Sequence, residues 1–86
     1  MRIKDGFMLS DVAGTPVVVP LGANTSFHNM IKLNETGRFL WELLQKEMTR
    51  EALAAAMMET YEITEEIALR DLDVFLAALE KFGALE

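Results

Sequence analysis

The chain has 86 residues, and its 14 acidic against 8 basic residues give a formal net charge of −6. This length predicts a single domain over residues 1–86. The sequence contains no cysteine, which excludes disulfides, iron–sulfur clusters, zinc sites built on thiolates and thiol nucleophiles. The acidic balance argues against binding to nucleic acid, because a phosphate backbone requires a surface rich in Lys and Arg. It favours protein or peptide partners, although net negative charge also keeps a small protein soluble.

The first residues give no sign of a targeting segment. Residues 2–6 (RIKDG) are too polar and too few for a signal peptide. No apolar run approaches the roughly 20 residues that a helix needs to span a bilayer. The sequence therefore predicts a soluble cytoplasmic protein with no membrane partner.

The first third of the chain has the pattern of strands. Two strands are predicted, Phe7 to Val12 and Pro16 to Pro20, around a turn at residues 13–15 (AGT). Pro16 begins its strand, where a missing N–H does least harm. Residues 21–29 are rich in turn formers and predict a mobile loop. The alternation from Met30 to Leu33 then predicts a short third strand.

Three helices are predicted to follow, each opened by a polar residue whose side chain can accept an orphan backbone N–H. Asn34 caps the first helix, which has Glu35 in its first turn. Thr49 caps the second, which runs from Arg50 to Tyr61 with Leu53, Ala56, Met57 and Tyr61 toward the core, and Thr64 caps the third, which runs from Glu65 to Phe82 and ends at Gly83. The predicted fold is α+β and winged-helix-like, with an N-terminal three-stranded antiparallel sheet followed by a three-helix bundle.

The third helix is more apolar than one core-facing surface requires. One stripe suffices for packing, and a second apolar arc lies beside it around Asp71. That arc could form a groove for alternate side chains of an added strand, or it could pack on the sheet or the N-terminal hairpin. The core stripe consists of Ala68, Leu72, Phe75, Leu76 and Leu79, and the second arc of Ile67, Val74, Ala78 and Phe82.

The third strand is open to two interpretations as well. Its N–H and C=O groups could pair with a peptide, or the strand could be kept short and given Lys32 to discourage unwanted pairing. The two are compatible, because a short charged edge can still accept one specific strand.

Residues suited to catalysis or metal binding are few. His28 is the only histidine, and neither Ser10 nor Ser26 lies in a nucleophile motif. The carboxylate pairs at residues 65–66 and at residues 71 and 73 occupy helical positions that do not converge on one atom. The sequence predicts a protein that is not an enzyme and has no catalytic residues, no metal site and no cofactor.

Six segments along the chain form an ordered set, namely residues 33–37 (LNETG), 41–44 (WELL), 49–51 (TRE), 61–66 (YEITEE), 71–79 (DLDVFLAAL) and 82–85 (FGAL). Together they resemble the PqqD-like family, named for the chaperone of pyrroloquinoline quinone (PQQ) biosynthesis, and the resemblance covers essentially the whole chain. The linker at residues 45–48 (QKEM) lacks the Asp-Gly turn that members often carry there, which favours a broader PqqD-like member over one that makes PQQ.

The resemblance implies a recognition element for ribosomally synthesised, post-translationally modified peptides. Members of the family hold the leader of a precursor peptide and present it to a modifying enzyme, often of the radical SAM class. The leader is bound as an extra strand beside the third strand, over a groove walled by the third helix. Carried onto this chain, the peptide-binding residues are Met30, Ile31, Lys32, Leu33, Ile67, Asp71, Val74 and Ala78.

The sequence is compatible with two other functions. The same strand edge and apolar stripe could pair with a second copy of the chain, which would make a homo-oligomeric structural or adaptor protein such as a homodimer. A nucleic-acid-binding winged helix is less well supported, because the third helix has only Arg70 and Lys81 as bases against five acids between Glu65 and Glu80.

Overall fold

The computed structural model describes residues 1–21 and 30–86, which form a three-stranded antiparallel sheet followed by three helices. This confirms the predicted α+β class and the order of the elements. The predicted loop at residues 21–29 lies, apart from Leu21, outside the described residues, as does His28. The strands are β1 (Phe7–Val12), β2 (Thr15–Pro20) and β3 (Ile31–Lys32), and the helices are α1 (Glu35–Leu43), α2 (Arg50–Thr60) and α3 (Glu65–Phe82).

The hairpin turn is one residue shorter than predicted. Ala13 and Gly14 both have positive φ, 53° and 83°. Two such residues in succession make the tight hairpin loop whose twist matches that of the flanking strands. Thr15 therefore belongs to β2, where it pairs with Val12.

β2 is the central strand of the sheet, and β3 lies at one edge. Val17 and Val18 point to opposite faces of β2, and both are buried. Val18 joins the main core beneath the helices. β3 is shorter than the predicted strand, because only Ile31 and Lys32 pair with β2 before the chain turns into α1. Met30 therefore lies outside the strand.

All three predicted N-caps are present. The side-chain oxygens of Asn34, Thr49 and Thr64 accept backbone N–H groups at 2.7, 3.1 and 3.3 Å. Gly83 ends α3 in the left-handed conformation with φ 84°. α2 stops one residue earlier than predicted, because Tyr61 has extended backbone angles.

The core lies between the inner face of the sheet and the three helices. In α2 the buried residues are Leu53, Ala54 and Met57, and Ala56, which was predicted to face the core, is half-buried. Tyr61, also predicted to face the core, is only half-buried and packs edge-on against Phe39, with ring centroids 5.5 Å apart. The largest fully buried side chains are Val18, Leu40, Leu44, Leu53, Met57, Leu72 and Leu79.

The two ends of the chain pair with each other, a contact between residues far apart in sequence that its local patterns do not indicate. Ile3 and Leu85 form an isolated antiparallel bridge. The Lys4 N–H donates to the Ala84 carbonyl at 2.8 Å, and the Ile3 N–H donates to the Leu44 carbonyl at 2.9 Å. Ile3 is thereby buried in the core, and the N-terminal segment connects α1 to the end of the chain.

One ion pair joins the start of α2 to the middle of α3. Arg50 binds Asp73 through two hydrogen bonds, Nε to Oδ1 at 2.8 Å and Nη2 to Oδ2 at 2.7 Å. The hydrogen bond from Arg50 lowers the pKa of Asp73, and the bond and charge of Asp73 raise the pKa of Arg50. Both side chains are largely exposed to solvent, so the pair stabilises the fold only slightly.

The cap of α3 gives a first testable expectation. Thr64→Ala removes the hydroxyl that accepts the Ile67 N–H, and we expect it to lower the free energy of unfolding by about 1 kcal/mol. Thr64→Ser keeps a hydroxyl and is the matched control. Urea denaturation should show a lower midpoint for the alanine variant with an unchanged slope. Equal midpoints for both variants would show that the cap contributes nothing.

The Arg50–Asp73 pair predicts a dependence of stability on pH. Because folding lowers the pKa of Asp73, the pair stabilises the fold above the ordinary carboxyl pKa of 3.8, and this contribution is lost as pH falls through the lower folded value. We expect Asp73→Asn to reduce the melting temperature near pH 7, with the difference from the wild type vanishing at the acid end. Asp71→Asn is the control, since no ion pair of Asp71 exists among the described residues. A pH-independent difference for Asp73→Asn would contradict the assignment.

Candidate functional site: the groove between β3 and α3

An open groove of about 370 Å³ separates β3 from α3. One wall is β3 with the first turn of α1, and the other wall is one face of α3. We refer to it as the β3–α3 groove. Its lining is largely apolar, with a few polar groups at the rim, and consists of Ile31, Lys32, Leu33, Asn34, Thr36, Gly37, Leu40, Asp71, Val74, Phe75, Ala78 and Leu79.

The β3 wall presents backbone groups to the groove. The Leu33 N–H donates to the Pro16 carbonyl at 2.8 Å, and Ile31 lies opposite Val18. In an antiparallel ladder the residue between two hydrogen-bonded pairs has its N–H and C=O directed away from the partner strand. Lys32 is that residue, so its backbone groups face the groove. Its side chain lies on the face of the sheet opposite to the core, because Ile31 and Leu33 point into the core.

The open edge is short because α1 begins immediately after it. The Asn34 side chain caps α1, and the Asn34 carbonyl already accepts the Arg38 N–H at 2.9 Å. Any ladder formed along β3 therefore has to end at Asn34. Among the described residues this edge offers only a few backbone groups for hydrogen bonding, so side-chain contacts have to supply most of the binding energy there.

The α3 wall is an exposed apolar face. Val74 has 68% of its surface exposed, the largest value for a large apolar side chain among the described residues. Ala78 lies one turn farther along and is exposed too, whereas Leu79 is fully buried and Phe75 half-buried. The exposed Val74 and Ala78 flank a floor formed by buried residues, which is the arrangement of a binding groove rather than a packed core.

Gly37, in the first turn of α1, determines how closely α3 packs against α1. A Cβ atom at this position would lie 3.2 Å from Cε1 of Phe75, 3.2 Å from Oδ1 of Asn34 and 3.4 Å from Cβ of Leu33. The absence of a side chain lets the Phe75 ring rest against α1. The width of the groove therefore depends on this contact.

The second apolar arc of α3 was expected either to line a groove or to pack on the hairpin. In the structure, part of it lines the groove and part packs on the hairpin. Asp71, Val74 and Ala78 line the groove. Phe82 packs instead on the N-terminal hairpin, where its ring centroid lies 5.6 Å from that of Phe7.

Of the eight predicted peptide-binding residues, six line the groove: Ile31, Lys32, Leu33, Asp71, Val74 and Ala78. Met30 and Ile67 do not, because Met30 precedes the paired part of β3 and Ile67 lies one helical turn before Asp71. Peptide contact by any of the eight stays a prediction. Asn34, Thr36, Gly37 and Leu40, on α1 and its cap, also line the groove and were not predicted, and Phe75 and Leu79 were predicted to face the core alone. A glycine in a first helical turn was the available signal for close approach.

The lining of the groove includes two charged residues, Lys32 and Asp71. Within residues 1–21 and 30–86 there is no cluster of three or more acidic or histidine side chains that could hold a metal ion. None of the helices in this part of the chain is long and apolar enough to cross a membrane. Backbone groups along one wall and apolar side chains along the other are suited to binding an extended peptide.

The Gly37–Phe75 contact gives a prediction. Alanine normally stabilises a helix by about 1 kcal/mol relative to glycine. In Gly37→Ala the new methyl group would crowd the Phe75 ring, and overpacking of this kind costs about 1 to 3 kcal/mol. We therefore expect Gly37→Ala to lower the free energy of unfolding in the wild type.

A double-mutant cycle in urea checks this cause. In a Phe75→Leu background, where the ring edge is gone, Gly37→Ala should cost less or become stabilising. An equal cost in both backgrounds would place the strain elsewhere.

Comparisons with known proteins agree with this geometry. The family model described as coenzyme PQQ synthesis protein D (PqqD) matches residues 16–85, which include β2, β3 and all three helices. The solved structure of TbiB1 in complex with the TbiA(beta) leader peptide superposes with a TM-score of 0.79 at 27% sequence identity, covering 100% of this chain and 95% of that chain. A comparison with curated proteins gave no match. Because the family model spans most of its length, the chain belongs to the PqqD family.

Proposed function

We propose that this chain is a non-catalytic peptide-binding module. It binds the leader of a ribosomally synthesised precursor peptide by β-strand addition at β3 and presents that peptide to a modifying enzyme of the radical SAM type. The observation that carries the proposal is the β3–α3 groove, in which the outward backbone of Lys32 faces the exposed apolar side chains of Val74 and Ala78.

The comparisons support the same function. The PqqD family model covers the elements that form the groove, and the TbiB1 structure, which superposes over the whole of this chain, was solved with a leader peptide. The family also motivates the enzyme partner, since its members present precursor peptides for modification.

The energetics favour a moderate affinity. A few ladder hydrogen bonds contribute about 1 kcal/mol each, and each buried apolar anchor about 1.5 to 3 kcal/mol. Association costs about 4 to 15 kcal/mol. With the short edge of β3, these terms give an affinity in the micromolar range or somewhat tighter, which suits a module that has to release its peptide.

Self-association is the second candidate, and one observation favours it. β1 is a six-residue edge strand on the other side of the sheet, and its Met8 and Val12 are exposed. An edge strand of this length can pair with a second copy of the chain. Sedimentation at several concentrations separates the two functions, because a peptide-binding module needs no copy of itself.

The proposal predicts where an added peptide perturbs the protein. We expect leader segments encoded near the gene, titrated into isotope-labelled protein, to shift the amide resonances of residues 31–33 and 71–79. Shifts confined to β1, or no shifts with any leader, would contradict strand addition at β3.

A pair of variants tests the groove directly. Ala78→Trp places an indole in the groove and should weaken leader binding by tenfold or more. Ala77→Trp is the matched control, because Ala77 is exposed on the same helix but does not line the groove. Calorimetric titration of both variants should show loss of binding only for Ala78→Trp. Equal affinities would place the peptide elsewhere.

A further inference from the structure

The carboxylate of Asp71 is available to a ligand in the groove. Asp71 lines the groove on the α3 wall and is exposed, and it makes no hydrogen bond or ion pair with any described residue. Asp73, two residues later, projects from another side of α3 and accepts hydrogen bonds from Nε and Nη2 of Arg50. The side chain of Lys32 lies on the far face of the sheet, so it does not neutralise Asp71. An ionised carboxylate is an acceptor only, and its strongest partners are cationic donors.

The direction of α3 relative to β3 fixes which end of the groove Asp71 occupies. Phe75 rests on Gly37, just beyond the C-terminal end of β3. Phe82 rests on Phe7, whose partner Pro20 lies beyond the other end of β3. α3 therefore runs antiparallel to β3. Asp71 lies at the end of the groove where β3 gives way to α1.

A peptide that pairs antiparallel with β3 runs in the same direction as α3. Antiparallel pairing is the pattern already present in this sheet, and it is slightly more stable for each residue than parallel pairing. The N-terminal part of such a peptide lies beside Asp71, and its C-terminal part lies beside Ala78.

The spacing along the two elements sets the register. The midpoint between Val74 and Ala78 lies about 7.5 Å along the helix axis from Asp71, at a rise of about 1.5 Å for each residue. Two residues of a strand span about 6.6 to 6.8 Å, and they place side chains on the same face. A side chain beside Asp71 and a side chain that enters between Val74 and Ala78 are therefore two positions apart in an extended peptide.

From this geometry we propose that the groove selects an extended peptide with the order cation, any residue, apolar residue. The Lys or Arg side chain pairs with Asp71, and the apolar side chain two positions later enters the depression bounded by Val74, Phe75 and Ala78. The proposal rests on the proposed peptide-binding function and adds the sequence class and the direction of the ligand. Asp71 acts as a specificity-determining residue.

The test is selection from a displayed library of random 12-residue peptides on the intact chain, followed by fluorescence anisotropy with the selected peptides. We expect enrichment of Lys or Arg two positions before an apolar residue. Replacement of that cation by Gln should weaken binding about threefold, in the range of an exposed ion pair. Placing the cation two positions after the apolar residue should weaken it equally.

Variants of the protein identify the partner of the cation. Asp71→Lys should reverse the preference, so that the peptide with Glu at the cationic position binds better than the original. Glu80→Lys is the matched control for net charge, because Glu80 is exposed on α3 and does not line the groove. Asp71→Asn serves as a milder second variant, and urea denaturation checks that each variant is folded.

The outcomes separate this inference from the function on which it rests. Peptides that fail to bind Ala78→Trp, yet show no cationic preference or respond equally to Asp71→Lys and Glu80→Lys, would overturn the specificity alone. A library that yields no binders, or binders unaffected by Ala78→Trp, would overturn peptide binding in the groove and the specificity with it.

Discussion

The contact between Phe75 and Gly37 determines the relation of α3 to the rest of the fold. Because Gly37 has no side chain, the Phe75 ring lies directly on α1, while Leu72 and Leu79 on neighbouring turns are fully buried. α3 is thereby held by one stripe, and the adjacent face with Val74 stays exposed beside β3. A side chain at position 37 would press on the Phe75 ring and force it to shift, so stability and the shape of the site depend on the same small contact.

The edge of the sheet at β3 can pair with an added strand, and it also has features that limit unwanted pairing. An open edge invites pairing with any extended chain, and natural proteins limit this by shortening the edge or adding charge. Here the paired part of β3 is two residues long, it includes Lys32, and it stops where Asn34 caps α1. In the described part of the chain few backbone groups are left to pair at this edge, so recognition there has to depend on the side chains that the α3 wall accepts. This favours binding of particular peptide sequences over pairing with any extended chain.

Two carboxylates on α3 show how position on a helix separates roles. Asp71 and Asp73 are two residues apart, which places them about 200° apart around the helix axis. Asp73 binds Arg50 and connects α3 to α2, whereas Asp71 faces the groove and makes no described ion pair. The Asp73 carboxylate therefore takes part in the fold, and the Asp71 carboxylate is available to a ligand.

The sequence by itself determined the features that depend on neighbouring residues. Each helix begins at a side chain that caps its own first turn, α3 ends at a glycine that tolerates positive φ, and the two apolar stripes of α3 follow from helical periodicity. One local feature that differed is the turn, where positive φ at Ala13 placed Thr15 in β2, because alanine gives no signal for that conformation.

The tertiary structure decided which surfaces meet. It placed Phe82 on Phe7 and paired Ile3 with Leu85. It also left Met30 and Ile67 outside the groove lining, because the lining depends on where β3 ends and how α3 crosses it. These contacts join residues far apart in the chain, and their energies depend on how whole elements pack. Periodicity shows that a face is apolar, but only the packed fold shows whether that face is covered.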